Sequence, residues 1–228
     1  MVVIDAGHGG QDPGTIAISG KYEKDIVLAV AHELRRQLRA TGRYRVALTR
    51  EKDVFIPLRE RVAIARAKGA DLFISLHADS IASRQVRGLS VYTLSDRASD
   101  REAEMLAQRE NQADAIVGMD LSVQSADIAN ILINLSQRDT MNLSRRFAGL
   151  VVDRMDKSVP VLAVPLRSAG LAVLTAPDVP SVLVELGYLS HPQDAKLLAT
   201  DNHRRRLAGS LLRAVDGYFT ANAVPSRS

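Results

Sequence analysis

Residues 2–40, VVIDAGHGGQDPGTIAISGKYEKDIVLAVAHELRRQLRA, set the pattern for the whole chain. Val2 to Asp5 is a short apolar run of strand length. Ala6 to Gly20 carries Gly7, Gly9, Gly10, Pro13, Gly14 and Gly20, the composition of a loop. From Lys24 to Ala40, Ile26, Val27, Val30, Leu34 and Leu38 recur at helical spacing, and Gly42 closes the helix. The alternation continues with a strand at Tyr44–Thr49, a helix at Leu58–Lys68 opened by Pro57 and ended by Gly69, and strands at Asp71–His77 and Gly88–Leu94. Residues 98–157 break this rhythm and read as two or three successive helices. Strand patterns resume at Gly170–Leu174 and Ser181–Glu185. An amphipathic helix, Leu207–Phe219, and a polar tail, Ala221–Ser228, complete the chain. We expect one α/β domain over residues 1–228, a mostly parallel central sheet flanked by helices, with a helical insertion at 98–157.

Composition narrows the function. With 46% hydrophobic and 25% charged residues the 228-residue chain is globular rather than disordered. Aromatics are only 4% and Trp is absent, so Val, Ile, Leu and Ala must build the core. The net charge of +4 suits an anionic polymer or simply a solvated surface. Arg204, Arg205 and Arg206 form the one tight basic run, and without an aromatic-rich basic motif a nucleic-acid binder is disfavoured. Absence of Cys excludes thiolate zinc sites and disulfide frameworks. No stretch approaches the ~18 apolar residues of a membrane-spanning helix. Met1 leads directly into Val2, Val3 and Ile4, so a signal peptide, if the protein is exported, would lie outside this chain or have been removed.

Of the five His, His32, His191 and His203 read as solvated side chains in helix or turn contexts. His8 and His77 differ, because each ends an apolar strand. Carboxyl ends of strands form the ligand crevice of open α/β sheets, and neutral imidazole is the commonest metal ligand. A catalytic zinc takes three protein ligands and leaves one position open. Two imidazoles therefore want a third partner, most economically a carboxylate. Glu23, at the start of the first helix, is well placed. Asp5 could orient an imidazole from behind, and Asp12 before Pro13 suits a turn. Spacing alone leaves that choice open. Glu185 emerges at the end of the buried run Val182–Val184, where a carboxylate needs either a salt-bridge partner or a proton-transfer task.

Four segments, in this order, resemble the zinc N-acetylmuramoyl-L-alanine amidases of the amidase type 3 family. They are IDAGHGGQDPG (4–14), YEKDIVLAVAHELRRQL (22–38), PLRERVAIARAKGADLFISLHAD (57–79) and PSVLVELGYLSHPQD (180–194). Together they reach across residues 2–219, and four motifs in register are specific where one would be weak. The resemblance implies one Zn2+ held by His8, Glu23 and His77, with Glu185 as the catalytic carboxylate. It implies hydrolysis of the amide between N-acetylmuramic acid and L-alanine in peptidoglycan, and a periplasmic or extracellular workplace, of which the periplasm is the one expected here. Family members often carry Asn where this chain has Arg66 and Asp79. Another zinc hydrolase and a non-enzymatic wall-binding module are the alternatives.

The 98–157 stretch resembles the helical insertion of the Gram-negative cell-division amidases, which covers their active site. That resemblance implies a role in daughter-cell separation and a LytM-domain activator that binds the insertion. The residues support it separately. On a helix from Glu102 to Val117, Ala103, Leu106, Ala107, Ala113 and Val117 share one stripe. Glu110 falls within it and Asp114 close by. A carboxylate on a packing face needs a cation, either the zinc or an Arg of the body. Glu110, with Asp114 as second choice, is therefore the candidate that blocks the zinc. Met105 and Ile116 lie off the stripe and either stay exposed for docking or are covered by a helix at Ile128–Leu135.

Overall fold

The computed structural model describes residues 1–81, 83–116 and 135–222. Its six-stranded sheet has the order β2-β1-β3-β6-β4-β5, with β1 Val2–Ala6, β2 Val46–Leu48, β3 Leu72–His77, β4 Leu89–Leu94, β5 Val161–Ala169 and β6 Ser181–Glu185. Neighbouring strands run parallel except β4 and β6, which pair antiparallel. The sheet is thus mostly parallel, as the strand–helix alternation predicts. β1, β3 and β6 are buried along their whole length, the condition of strands covered on both faces.

Side-chain alternation divides the two faces. Ile4, Ile74, Leu76, Val182, Val184 and Val91 pack under three helices, α1 (Glu23–Ala40), α5 (Leu135–Asp153) and α7 (Asp201–Asn222). The opposite face carries Val3, Phe73, Leu183 and Tyr92 under α2 (Leu58–Ala67), α3 (Arg101–Asn111) and a short 3-10 turn, Ala172–Leu174. On that second face, one pleat further along each strand, stand Asp5, Ser75, His77, Ser90 and Glu185, all buried. Parallel register sets Asp5 beside Ser75 and His77 beside Glu185. The period-2 pattern therefore puts the aliphatic side chains in one layer and the chemical ones in the other.

Two expectations change. The strand expected at Gly170–Leu174 lies earlier, as β5, and Ala172–Leu174 is a 3-10 turn. β5 is the outer strand, so Pro165 loses no ladder bond that a central strand would need. Its pairing with β4 shifts register between Leu89 and Val91, and Val164 and Leu166 stay exposed, which obscures its pattern. The helix expected from Glu102 to Val117 breaks at Gln112 into α3 and α4 (Ala113–Ile116). At the break the Asn111 amide bonds Gly170 O and Ala172 N, tying the helix end to the loop after β5. Val117 and nearly all of the helix expected at Ile128–Leu135 lie outside the described residues, as do 223–228 of the tail.

The stretch 98–157 divides between layers. α3 buries Ala103, Leu106 and Ala107 on the chemical face, with Asp100 capping its first turn through the Ala103 N–H. α5 instead buries Phe147, Ala148 and Val151 in the aliphatic core against α7. A short helix not anticipated from the sequence, α6 (Pro192–Leu198), follows β6 and is capped by His191. His203 is buried at 5% exposure rather than solvated, because α7 starts at Asp201 and packs it inward.

Candidate metal centre

His8 stands two residues past β1 with φ 58, a left-handed conformation that is uncommon for a residue with a side chain. The surroundings hold it there. Its carbonyl accepts the Arg61 Nη2–H at 2.9 Å, and its Nδ1 bonds Asp12 Oδ2 at 2.8 Å. The turn that delivers His8 to His77 requires glycine, since a Cβ on Gly7 would lie 2.4 Å from His77 Cε1. The two rings meet edge to face, 4.9 Å between centroids.

Their facing nitrogens, His8 Nε2 and His77 Nδ1, are buried and have no hydrogen-bond partner of acceptable geometry. Two carboxylates close on the same point. Glu23 Oε1 is 3.2 Å from His8 Nε2 and 3.3 Å from His77 Nδ1. Glu110 Oε2 is 3.1 Å from His77 Nδ1 and 3.7 Å from His8 Nε2. Ligand atoms of His8, His77 and Glu110 lie within 4.8 Å of one another. Nitrogen and oxygen ligands at ~2.0–2.2 Å around a tetrahedral zinc stand roughly 3.3–3.5 Å apart. The His8–Glu23, His77–Glu23 and His77–Glu110 spacings are near that edge and His8–Glu110 is longer, so the two imidazoles with these carboxylates fit a site for one divalent ion.

Charge supports the same reading. Burial opposes protonation of His8, yet Glu23 and Glu110, with the Asp12 bond, push it up to about 10. His77 is likewise raised against burial by Glu110 and Glu23, and Glu23 is held low against burial by the two His. The carboxylates thus favour positive charge at the point the two imidazoles face, where a divalent cation would sit. Glu23 is fixed from behind, Oε1 accepting the Ala78 N–H and Oε2 the Thr15 N–H.

Glu185 is fully buried beside His77. Its Oε2 accepts the Asp79 N–H at 2.9 Å, and its Oε1 has no partner. Burial first, then the neighbouring Asp79, raises its pKa well above the ordinary carboxylate range. Asp79 is pushed up to about 6 by burial and by the Glu110 and Glu23 charges, against Arg109 of α3, whose Nη2 donates to Asp79 Oδ2.

Asp5 and Asp12 exchange the parts the sequence suggested. Among the described residues Asp5 makes no hydrogen bond to an imidazole: it accepts from Thr49, Ser75 and Arg61, on the inner pleat. Asp12 orients His8 while its other oxygen accepts the Gly14 N–H, so the turn and the imidazole share it. Asp114 accepts the Leu58 N–H at 3.0 Å and caps α2. His32 bonds the Glu51 carbonyl.

Sequence reasoning passed over two arginines. Arg61 binds Asp5 and the carbonyls of Ile56, Ala6 and His8, and Arg50 binds those of Ala6, Gly7 and Lys24. Both are 2% exposed. Arg61 was detectable: it shares the buried stripe of α2 with Leu58 and Ala65. Replacing it with Met strands the buried Asp5 charge and the Ile56 and His8 carbonyls, while Ala6 O keeps Arg50. Arg61→Met is expected to lower unfolding free energy by about 3–5 kcal/mol in urea titrations. A loss below about 1 kcal/mol would show that the site loop does not depend on it.

Comparison with known proteins places these features in context. The family described as N-acetylmuramoyl-L-alanine amidase (Amidase_3) matches residues 2–217. N-acetylmuramoyl-L-alanine amidase AmiC of Neisseria meningitidis is 40% identical over 98% of this chain, which spans 54% of that relative's length. AmiA of Escherichia coli K12 is 38% identical over 96% of this chain and 76% of its own. The solved amidase AmiC2 of Nostoc punctiforme superposes with a TM-score of 0.68 at 26% identity, covering 96% of each chain.

Proposed function

Because the chain belongs to the N-acetylmuramoyl-L-alanine amidase family, we propose that it is a zinc enzyme hydrolysing the amide between N-acetylmuramic acid and L-alanine in peptidoglycan. The observation that carries this reading is the convergence of His8 Nε2, His77 Nδ1 and Glu23 Oε1 beside a buried carboxylate with a free oxygen.

In this reading His8, Glu23 and His77 hold the zinc, which when bound supplies Lewis acidity and a water of lowered pKa. Asp12 fixes the ring orientation of His8, and the Ala78 and Thr15 amides fix Glu23. The Asp79 N–H pins Glu185 Oε2, so Oε1 is the oxygen left to take a proton from the attacking water. The C–N bond breaks as Glu185 hands that proton to the leaving L-alanine nitrogen. Only the muramoyl carboxylate and a free amine result.

Glu110 takes the remaining position and keeps the enzyme off in this reading. α3 holds it there by burying Ala103, Leu106 and Ala107, and by the Asp100 and Glu102 pairs with Arg167 of β5. Relief requires a partner with higher affinity for the withdrawn state. A LytM-domain activator acting on α3 in the periplasm, during daughter-cell separation, fits the family resemblance. Met105, 44% exposed on α3, is available to such a partner. Among the described residues no helix is long and apolar enough to cross a membrane.

The test couples metal analysis to digestion of purified peptidoglycan. About one zinc per chain is expected, with release of free L-alanine amino termini and intact glycan strands. Cleavage within the stem peptide would identify a different zinc hydrolase, and wall binding without cleavage a recognition module.

A further inference from the structure

Asp79 sits where the metal-ligand cluster meets an open groove, and no role above uses its outward oxygen. Its backbone N–H is committed to Glu185. Its Oδ1 accepts the Ser80 N–H and lies 3.4 Å from the Thr15 hydroxyl. Oδ2 faces α3 and receives Arg109 Nη2. The Asp79 side chain is 3% exposed, whereas that of Arg109 is 40% exposed and reaches inward from the groove wall. The next residue along the helix, Glu110, is the one that meets the imidazoles. Adjacent residues of α3 thus set an anion on the ligand cluster and a cation on Asp79. The groove they close, about 440 Å³, is also lined by Thr15, Glu23 and Gln112.

Withdrawal of α3 strips Asp79 of this ion-pair partner. With α3 withdrawn, Oδ2 faces the groove and takes a new donor, from water or from a substrate N–H. The Glu23 carboxylate nearby favours a cationic or N–H group there over another acceptor. The Asp79 backbone N–H bonds Glu185, which in the amidase reading serves the leaving nitrogen, so the Asp79 side chain lies next to that end of the site.

We propose, resting on the amidase reading above, that Asp79 is a substrate-binding residue. Its Oδ2 accepts an N–H of the stem peptide, and Arg109 fills that subsite while α3 covers the site. Opening and substrate binding are then coupled through one carboxylate oxygen.

The test first removes the competing cation. Arg109→Ala removes the α3 side chain that, among the described residues, pairs with Asp79, so an aspartate that merely held α3 loses that hold. Adding Asp79→Ala is expected to raise KM for peptidoglycan fragments about tenfold while kcat stays within about threefold. Calorimetric titration of the metal-free protein with an N-acetylmuramoyl dipeptide should show affinity falling by a similar factor. Asp79→Asn, isosteric and still an acceptor, should fall between, and it carries the same comparison if the alanine variant does not fold. Unchanged KM and dipeptide affinity in the double variant would overturn the proposal. So would a collapse of kcat at constant KM, which would assign the Asp79 carboxylate to the electrostatics of Glu185 rather than to substrate binding. An Arg109→Ala parent that cleaves wall material without releasing L-alanine amino ends would instead sink the amidase reading, and this proposal with it.

Discussion

Glu185→Ala should lose about 10²–10⁴-fold in kcat on peptidoglycan, the usual range for a positioned proton-transfer group. If the site holds zinc as proposed, the variant should also keep it. Both halves follow from placement. Glu185 adjoins the ligand cluster through its β-sheet neighbour His77, but its Oε2 is bonded to the Asp79 amide rather than directed at the imidazole nitrogens. Its Oε1 is buried without a partner, the costly arrangement that a structural carboxylate avoids. A salt bridge, the structural alternative, finds no support among the described residues: no cation is paired with it. Metal analysis of the variant separates the explanations. Zinc lost together with activity would make Glu185 a ligand-supporting residue. Zinc retained with near-normal kcat would remove it from the reaction.

That His8, His77 and Glu185 would meet at one rim of the sheet was legible in the sequence, for identifiable reasons. His8 and His77 stood out because both end apolar strands, and parallel strands deliver their carboxyl ends to one rim. Glu185 followed from the same rule. Glu23 needed the family resemblance, since spacing left Asp5 and Asp12 open. Strand alternation explains why: Asp5 belongs to the inner pleat with Ser75 and Arg61, while Asp12 sits beyond β1 in a loop whose path turns on His8 at φ 58. Periodicity says nothing about such a loop. The same limit hid Arg50 and the Asp79–Arg109 pair, which join segments far apart in sequence. β5 was misplaced because an edge strand with Pro165 and a register shift has neither the alternation nor the continuous apolar run of the inner strands. α5 could not be told from a lid helix by its amphipathic pattern, because a stripe does not reveal which layer it packs on; Phe147, Ala148 and Val151 put it in the core.

Glu110→Ala should raise basal hydrolysis of purified walls by about 10–100-fold. The estimate takes the contact of Glu110 with the ligand cluster as charge-assisted, worth roughly 1.5–3 kcal/mol, and converts its loss into the fraction of molecules with α3 withdrawn. The gain stops short of full activation because Ala103, Leu106 and Ala107 still bury against the sheet, and Arg167 still pairs with Asp100. A partner that opens the helix should then stimulate the variant proportionately less than the wild type, since part of its work is already done. Glu110→Gln, which keeps the shape and loses the charge, should give most of the same increase. Zinc affinity decides between inhibition and structure. Three ligands remain in the variant, so its metal content should stay near one per chain. If the metal dissociates and activity falls with it, Glu110 is a constitutive ligand of the centre rather than its stopper. If the metal stays and activity does not rise, α3 is not what holds the enzyme off.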